Sequence, residues 1–443
     1  MTTASPLSDF ASVLCILSVL LVPLAWVGLA LINTGLGRAR SASHSMLASL
    51  CAISVAALVY FLCGFAWQGY IGTVGYQFVA GGRGWNWIAS GKFLMRGIAF
   101  DGSPASLAAL LGMFSVGLAA MIPLGTGGDR WRLGAICGST ALLAGWTYPL
   151  FAHWVWAGGW LAQLGVDGAL GRGFVDVGGA STIQAVGGLT ALSIAWILGP
   201  RRGKYTVEGM PSAIPGHNSV LILLGCMLAA VGWIGLNIAG ALLVTGIEPG
   251  RSVLTGMNTI LSAAAAALMG AAITGIRFGK PDASLSANSW LGGLVASSAG
   301  CAFLVPAEAV VIGGIAGALV TFSVEWFELH LAVDDPSGAV SAHAIGGIWG
   351  IFCVGLFADF GGVGGAQGPP SAPGQWLAQL TGIATLVGFV LPMTYALNWL
   401  LNRVYPQRVA PEGERQGMDL YELGSGAYPE FLTHSEEFSQ RKM

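Results

Sequence analysis

The stretch Asp176-Val-Gly-Gly-Ala-Ser-Thr-Ile-Gln184-Ala-Val-Gly187-Gly188 returns 159 residues later as Asp335-Pro-Ser-Gly-Ala-Val-Ser-Ala-His343-Ala-Ile-Gly346-Gly347. In both copies an acid precedes a polar side chain by eight residues, and a Gly-Gly pair follows that side chain. Internal repeats of this kind are typical of transporters built from two related halves, with the substrate path between the halves. The repeat therefore makes Gln184 and His343 the first candidates for lining such a path, and it predicts that they face each other near its middle.

The composition is that of a polytopic membrane protein. Charged residues make up 9% of the 443 residues and apolar residues 54%, whereas soluble domains carry about 25% charged residues. Glycine accounts for 68 residues, which suits close packing of helices in lipid. The apolar runs are longer than the roughly ten-residue alternating strands of a membrane barrel. We therefore predict an all-α fold.

Eleven segments are long and apolar enough to cross a bilayer, which takes about 20 helical residues. Little more than Pro306 separates the eighth segment from the ninth, so that boundary is the weakest. The predicted spans lie near residues 10–33, 45–67, 104–124, 133–154, 179–200, 217–240, 253–276, 288–305, 307–327, 339–358 and 376–402.

The distribution of basic residues predicts the orientation of these spans. With the N-terminus outside, the inner loops and the C-terminal tail hold 14 of the 19 Lys and Arg residues. Basic residues concentrate on the cytoplasmic side of membrane proteins. We therefore expect an outside N-terminus and a cytoplasmic C-terminus. The outer loops hold Arg83, Lys92, Arg96, Arg172 and Arg251.

Several further motifs accompany the repeat, and together they resemble the ammonium transporter (Amt/Mep/Rh) family, on its Amt branch. The resemblance covers nearly the whole chain, and the combination of motifs is specific although each motif alone is weak. The motifs are Tyr148 to Trp156 (YPLFAHWVW), Pro215 to Asn218 (PGHN), Gly232 to Asn237 (GWIGLN), Gly279 to Ser284 (GKPDAS), Ala299 to Phe303 (AGCAF), Gly417 to Asp419 (GMD) and Ala427-Tyr428.

The resemblance implies a fold and an assembly. Family members are homotrimers, and each protomer has eleven spans in two inverted five-helix halves plus a long last helix, with its own pore. Here the membrane domain would cover residues 1–403, with pseudo-repeats about 10–200 and 217–358 and the last helix at 376–402. Residues 404–443 would form a cytoplasmic tail, with 432–443 disordered. The resemblance also implies the plasma membrane and a possible P-II-type cytosolic signal protein on the basic inner loops. No nucleic-acid partner is expected.

The resemblance assigns four residues to the substrate path, namely Trp156, Asp176, Gln184 and His343. Trp156 matches the aromatic residue of an outer cation site, where a ring face attracts cations; an interfacial structural Trp is the alternative. Asp176 matches an acid near the outer end of the fifth span. We expect it mainly to cap a helix N-terminus, as Asp335 would at the inner end. His343 matches the second of two pore histidines, and ionisable groups inside a span usually line a path; a histidine hydrogen-bonded within the core is the alternative.

The chain departs from the family pattern at the pore. Gln184 stands where the family usually has the first pore histidine, and an amide cannot take up a proton. Leu111 and Leu236 stand where two Phe rings usually gate the pore, and Gly240 stands where the outer site has a hydroxyl. In the tail, Leu423 and Ser425 replace the usual His and Glu. We therefore expect polar lining of the pore to survive without the usual proton relay.

The sequence supports two alternative functions. The first is transport of ammonium or ammonia, and the alternative is a non-conducting or altered-substrate ammonium sensor of the same fold. An enzyme is not expected, because a single pore His without ligands or partners at suitable spacing makes neither a metal site nor a catalytic triad. No cofactor is expected, since the seven Cys are scattered without a CxxC motif.

Overall fold

Eleven apolar helices fill most of the computed structural model, which describes residues 7–361 and 374–428. Ten of them reach the length and hydropathy of a membrane span within the described residues. The predicted all-α fold is therefore confirmed, and each predicted span overlaps one helix. In chain order these helices are α1 (Asp9–Leu36), α2 (Ala39–Gln68), α3 (Pro104–Gly127), α4 (Leu133–Gln163), α5 (Ala180–Leu198), α6 (Ser219–Val244), α7 (Pro249–Phe278), α8 (Ala283–Ser297), α9 (Pro306–Leu331), α10 (Val340–Phe357) and α11 (Gln375–Val404).

Helix α8 corrects the predicted span at 288–305. It begins earlier because the Asp282 side chain accepts a hydrogen bond from the Leu285 backbone N–H, at 2.8 Å, and caps the helix there. The helix ends at Ser297, and the chain to Pro306 is irregular. The buried Asn258 side chain of α7 donates to two carbonyls of this irregular segment, at 2.9 and 2.7 Å. Backbone groups without a helical partner are thereby satisfied inside the protein, as a membrane requires.

Five spans contain a π-helical turn. In α4 and α11 the sequence shows the cause, because Pro149 and Pro392 follow the turns and remove the backbone donor that a regular helix needs. The turns at the start of α5 and α10 contain Gln184 and His343, one in each copy of the repeat. Single π turns occur often at functional sites. The five turns are Tyr60–Gly64, Leu143–Thr147, Ala180–Ala185, Val340–Ile345 and Leu386–Val390.

An antiparallel hairpin of β1 (Tyr76–Ala80) and β2 (Arg83–Ile88) joins α2 to α3. Its Trp87 ring packs on Trp154 of α4, with ring centroids 4.5 Å apart. The α4 residue Gln163 accepts a hydrogen bond from the Asn86 backbone N–H at 2.6 Å. We call the membrane side that carries this hairpin the hairpin face, and the opposite side, where the C-terminal tail lies, the tail face.

The first helices of the two halves cross closely through paired glycines. A Cβ atom on Gly28 of α1 would lie 2.6 Å from the carbonyl oxygen of Gly225 in α6, and a Cβ atom on Gly225 would lie 2.6 Å from the carbonyl oxygen of Gly28. Neither approach leaves space for a side chain. Small residues of this kind allow helix backbones to approach each other in lipid, where helix association depends on close packing.

The tail packs against the tail face of the same chain. Its helix α12 (Pro411–Gln416) is followed by a turn at Asp419–Leu423. Asp419 accepts hydrogen bonds from the backbone N–H groups of Ser43 and His44, near the start of α2, at 3.2 and 2.7 Å. Glu422 accepts from the Leu133 N–H at the start of α4, at 2.9 Å. Two tail carboxylates thus cap two membrane helices. The predicted disorder at 432–443 lies outside the described residues.

A buried ion-pair network joins the loops of both halves at the tail face. Arg201 makes two hydrogen bonds of 2.9 Å to the carboxylate of Asp334 and one of 3.2 Å to Asp129. Arg130 donates to the Asp334 backbone carbonyl at 2.8 Å. Burial alone would raise the pKa of Asp334, but the hydrogen bonds and charges of Arg201 and Arg130 lower it to about 2. The carboxylate is therefore ionised and stabilises the fold above its unfolded pKa, and this contribution is lost as the pH falls towards 2.

Replacing this carboxylate should destabilise the protein. Asp334→Asn leaves the buried guanidinium of Arg201 without a full counter-charge, and breaking a buried ion pair costs about 3–5 kcal/mol. We expect a clearly lower unfolding temperature in detergent at neutral pH. The control Glu325→Gln breaks the half-exposed pair with Arg277, and exposed pairs contribute about 0–1 kcal/mol. Equal unfolding temperatures for the two variants would contradict this assignment.

Candidate functional site

The two copies of the repeat meet where α5 crosses α10. A side chain on Gly188 of α5 would collide with the backbone of Ala344 in α10. Likewise, a side chain on Gly347 of α10 would collide with the carbonyl of Ala180 in α5 and contact Ala185. One glycine from each Gly-Gly pair of the repeat thus packs on the π turn of the other copy. This crossing brings the two π turns together in the middle of the helix bundle.

Gln184 and His343 contact each other at this crossing. The His343 Nδ1 and the Gln184 Oε1 are 2.8 Å apart, and both side chains are buried. The indole of Trp233 in α6 lies beside them, with its ring centroid 6.4 Å from that of His343. The repeat predicted that Gln184 and His343 would face each other, and the hydrogen bond confirms this contact.

Beyond this hydrogen bond, Gln184 has one free donor group and His343 has one free acceptor atom. Because Gln184 Oε1 can only accept, the imidazole proton of His343 lies on Nδ1 and Nε2 keeps its lone pair. The Gln184 Nε2 amide group has no hydrogen-bond partner in the described part of the protein. Buried amide donors usually have partners. The amide group can therefore hold a small molecule that accepts a hydrogen bond, and the imidazole Nε2, which points away from Gln184, can hold one that donates.

Asp176 uses its carboxylate to cap the start of α5. Its Oδ1 accepts from the backbone N–H groups of Gly179 and Ala180, at 3.0 and 2.7 Å. Its Oδ2 accepts from the backbone N–H and the hydroxyl of both Ser181 and Thr182. The residue is only 1% exposed. The expected capping role is confirmed, and the carboxylate oxygens are occupied by the protein.

Asp335 occupies the matching position at the tail face. Its Oδ2 accepts from the Val340 backbone N–H at 2.7 Å, and its Oδ1 accepts from the Thr126 hydroxyl at 2.7 Å. The Ser337 hydroxyl donates to Oδ1 as well, at 3.2 Å. The two acids of the repeat thus do the same work at opposite ends of the α5–α10 crossing.

Trp156 and Asp176 are brought together near the hairpin face. The Trp156 indole N–H donates to the backbone carbonyl of Asp176 at 2.7 Å. The ring is buried, with 7% exposed, and its edge lies near Gly179. The hydrogen bond fixes the plane of the Trp156 ring relative to the capped start of α5.

The remaining predicted residues lie in the packed interior. Leu111 of α3 and Leu236 of α6 are both buried members of one apolar core. Gly240, also in α6, packs directly on the carbonyl of Val177, just after Asp176. Backbone atoms therefore fill the space that a side chain at position 240 would occupy.

Other groups that hold the site were not predicted. The backbone N–H groups of Val177 and Gly178 donate to the carbonyls of Ala299 and Ser298, at 3.1 and 2.7 Å. Asn237 of α6 lies against Gly178. An Asn inside a span is a signal that could have identified it. The two carbonyls have no such signal, because they act through the backbone of the irregular segment after α8.

A side chain at position 240 should disturb this loop. Gly240→Ser would collide with the Val177 carbonyl, so we expect a clearly lower unfolding temperature in detergent. The control Gly256→Ser places the same side chain where the nearest atom is 3.6 Å from the added Cβ, and it should unfold at the parental temperature. A Gly240→Ser protein with parental stability would contradict the tight contact.

Comparison with known proteins agrees with this architecture. The model of the ammonium transporter family matches residues 13–428. Ammonium transporter Amt2 of Archaeoglobus fulgidus is 33% identical over 432 residues, which are 94% of this chain and 88% of the relative. The ammonium transporter of Bacillus subtilis is 28% identical over 421 residues, covering 93% and 97%.

Solved structures show the same fold. One named "Sensor Amt Protein" superposes with a TM-score of 0.82 at 27% identity, covering 94% of this chain and 98% of its own. Mep2 of Candida albicans superposes with a TM-score of 0.77 at 23% identity, covering 91% and 87%. Sequence and structure thus agree across nearly the whole chain, and the chain belongs to the ammonium transporter family.

Proposed function

We propose that the protein carries ammonia nitrogen across the plasma membrane, through one pore in each protomer. The observation that carries the proposal is the buried Gln184–His343 pair at the crossing of the two repeats. Among the described residues it leaves the Gln184 amide group without a partner, and it presents one imidazole lone pair inside the helix bundle. Membership of the ammonium transporter family supports the substrate.

The basic residues support an orientation with the tail face in the cytoplasm and the hairpin face outside. In this orientation Trp156 and Asp176 lie at the outer end of the path. The ring face of Trp156 would attract an ammonium cation by about 0.5–2 kcal/mol, depending on desolvation. Asp176 would act through its negative charge and by holding the Trp156 ring, since its oxygens are already hydrogen-bonded.

The hydrogen-bond capacity of the pore pair favours the neutral molecule. Ammonium has four N–H donors and no lone pair, so it cannot accept from the Gln184 amide. Ammonia can accept from that amide and, in a separate contact, donate to His343 Nε2. Burying an unpaired cation in an apolar interior is also costly. The cation would therefore release its proton to the solution on the outer side, and only ammonia would go on to Gln184. Leu111 and Leu236 would form an apolar constriction without a ring face.

Flux measurements in proteoliposomes test this proposal. Loading with ¹⁵N-labelled ammonium should give uptake above that of empty liposomes, and His343→Leu should abolish most of it by removing the acceptor. His330→Leu is the matched control, because His330 lies exposed at the end of α9, and it should transport like the parent. Parental flux equal to that of empty liposomes would overturn the transport proposal.

A receptor is the second candidate function. It is favoured by Gln184 in place of a second pore histidine, and by the similarity to the structure named "Sensor Amt Protein". A receptor would bind ammonium near Trp156 and Asp176 without passing it. Saturable ammonium binding by the purified protein, together with absent flux, would distinguish this function from transport.

We also propose a homotrimer, with a P-II-type signal protein as a partner on the tail face. The glycine-mediated helix crossings permit the tight packing that such an assembly needs. A stable monomer by mass measurement in detergent would contradict the trimer.

Restoring a second histidine should change the charge that is carried. In Gln184→His, two imidazoles would stand at the position of the present 2.8 Å contact and could exchange a proton, which an amide cannot do. We expect ammonium-evoked current on solid-supported membranes to rise above a small parental current. Gln184→Asn, which keeps an amide, should not raise it. Parental currents that are already large and unchanged in Gln184→His would refute the argument.

A further inference from the structure

A basic cleft opens on the tail face, away from the α5–α10 crossing. It has a volume of about 660 Å³ and is built by three separate parts of the chain. These parts are the α1–α2 loop with the first residues of α2, the segment after α5, and the tail helix α12. The lining residues are Arg38, Ala39, Arg40, Arg202, Glu414 and Arg415.

The cleft carries an excess of positive charge. Four of its lining residues are arginines and only Glu414 is acidic. The Glu414 carboxylate is already engaged, because it accepts from Arg408 at 2.9 Å and from the Arg202 backbone N–H at 2.6 Å. Within residues 7–361 and 374–428, no carboxylate forms an ion pair with Arg40, Arg202 or Arg415. Their guanidinium groups are therefore available to an anion.

The cleft is held in place by its own hydrogen bonds. The Arg38 backbone N–H donates to Asp129 at 3.2 Å, and Asp129 belongs to the buried network described above. The Arg40 guanidinium donates to the Glu414 backbone carbonyl at 3.1 Å. Glu414 in turn holds the Arg202 backbone. A binding site fixed in this way loses less conformational entropy when a ligand binds.

We propose that this cleft binds an anion with two or more phosphoryl groups. The planar guanidinium fork matches phosphate oxygens with paired, charge-assisted hydrogen bonds. Several arginines in one concave site favour a multiply charged ligand over a single carboxylate. The volume lies within the range of about 300–1,000 Å³ that is common for small-molecule sites. A soluble polyphosphate compound and a phosphorylated lipid headgroup present the same chemistry.

Binding would couple the tail to the membrane helices. An anion held by Arg40, Arg202 and Arg415 would bridge the start of α2, the segment after α5 and the tail. Any ligand that binds only the assembled cleft stabilises the docked tail by mass action. The tail carboxylates Asp419 and Glu422 cap α2 and α4, so this ligand would act on helices of the membrane domain.

The test uses the full-length protein in nanodiscs of neutral lipid, titrated with inorganic tripolyphosphate by calorimetry. We expect saturable binding that weakens as NaCl is raised from about 50 to about 300 mM, because salt screens charges at a surface cleft. The double variant Arg40→Gln/Arg202→Gln should weaken binding about tenfold or more. The control Arg403→Gln removes a tail-face arginine at the end of α11 that stacks on Trp399, and it should bind like the parent.

A second arm identifies the source of the phosphoryl groups. Nanodiscs that contain a lipid with a phosphorylated headgroup replace the soluble ligand, and lipid retention is measured for the same variants. If the parent binds in one arm and the double variant loses this binding, the proposal is supported. The arm in which the parent binds then identifies the source of the phosphoryl groups. Should the double variant unfold, Arg415→Gln replaces it, with a severalfold weaker affinity expected at an unchanged unfolding temperature. Absent binding in both arms, or an equal loss in Arg403→Gln, overturns the proposal.

Discussion

The crossing of α5 and α10 is the contact on which the rest of the site depends. Gly188 and Gly347 each pack on the π turn of the other helix, where no side chain fits. This approach puts Gln184 within hydrogen-bonding distance of His343. A wider crossing would leave two buried polar side chains apart and each in need of another partner, which costs free energy in an apolar interior. Packing and polar pairing therefore support each other.

The acids of the repeat show how charge serves structure here. Asp176 and Asp335 cap the irregular starts of α5 and α10 at opposite faces. Their oxygens satisfy backbone donors that would otherwise be buried without partners. The backbone carbonyl of Asp176 also accepts a hydrogen bond from the Trp156 indole N–H. Asp176 thus shapes the start of α5 with both of its carboxylate oxygens occupied by the protein.

The sequence predicted those parts of the site that belong to the repeat. Both polar positions, both acids and both glycine pairs occur in the repeat, so their pairing could be inferred from residue identity and spacing. The end of α8 could not be predicted in this way, because Asn258 of the preceding helix donates hydrogen bonds to the carbonyls of the segment after α8. The tight place of Gly240 depends on the path of the Val177 backbone. Contacts made through backbone atoms leave little trace in residue identity.

In the proposed function, the Gln184–His343 pair passes neutral ammonia and carries no proton with it. This is tested by the ratio of charge moved to nitrogen moved by the unmodified protein, with current and ¹⁵N uptake recorded on the same proteoliposome preparation. We expect clear uptake of nitrogen with a ratio near zero. A ratio near one charge per nitrogen would contradict it, because protons or intact ammonium would then be crossing at a pair that has no protonatable partner for His343.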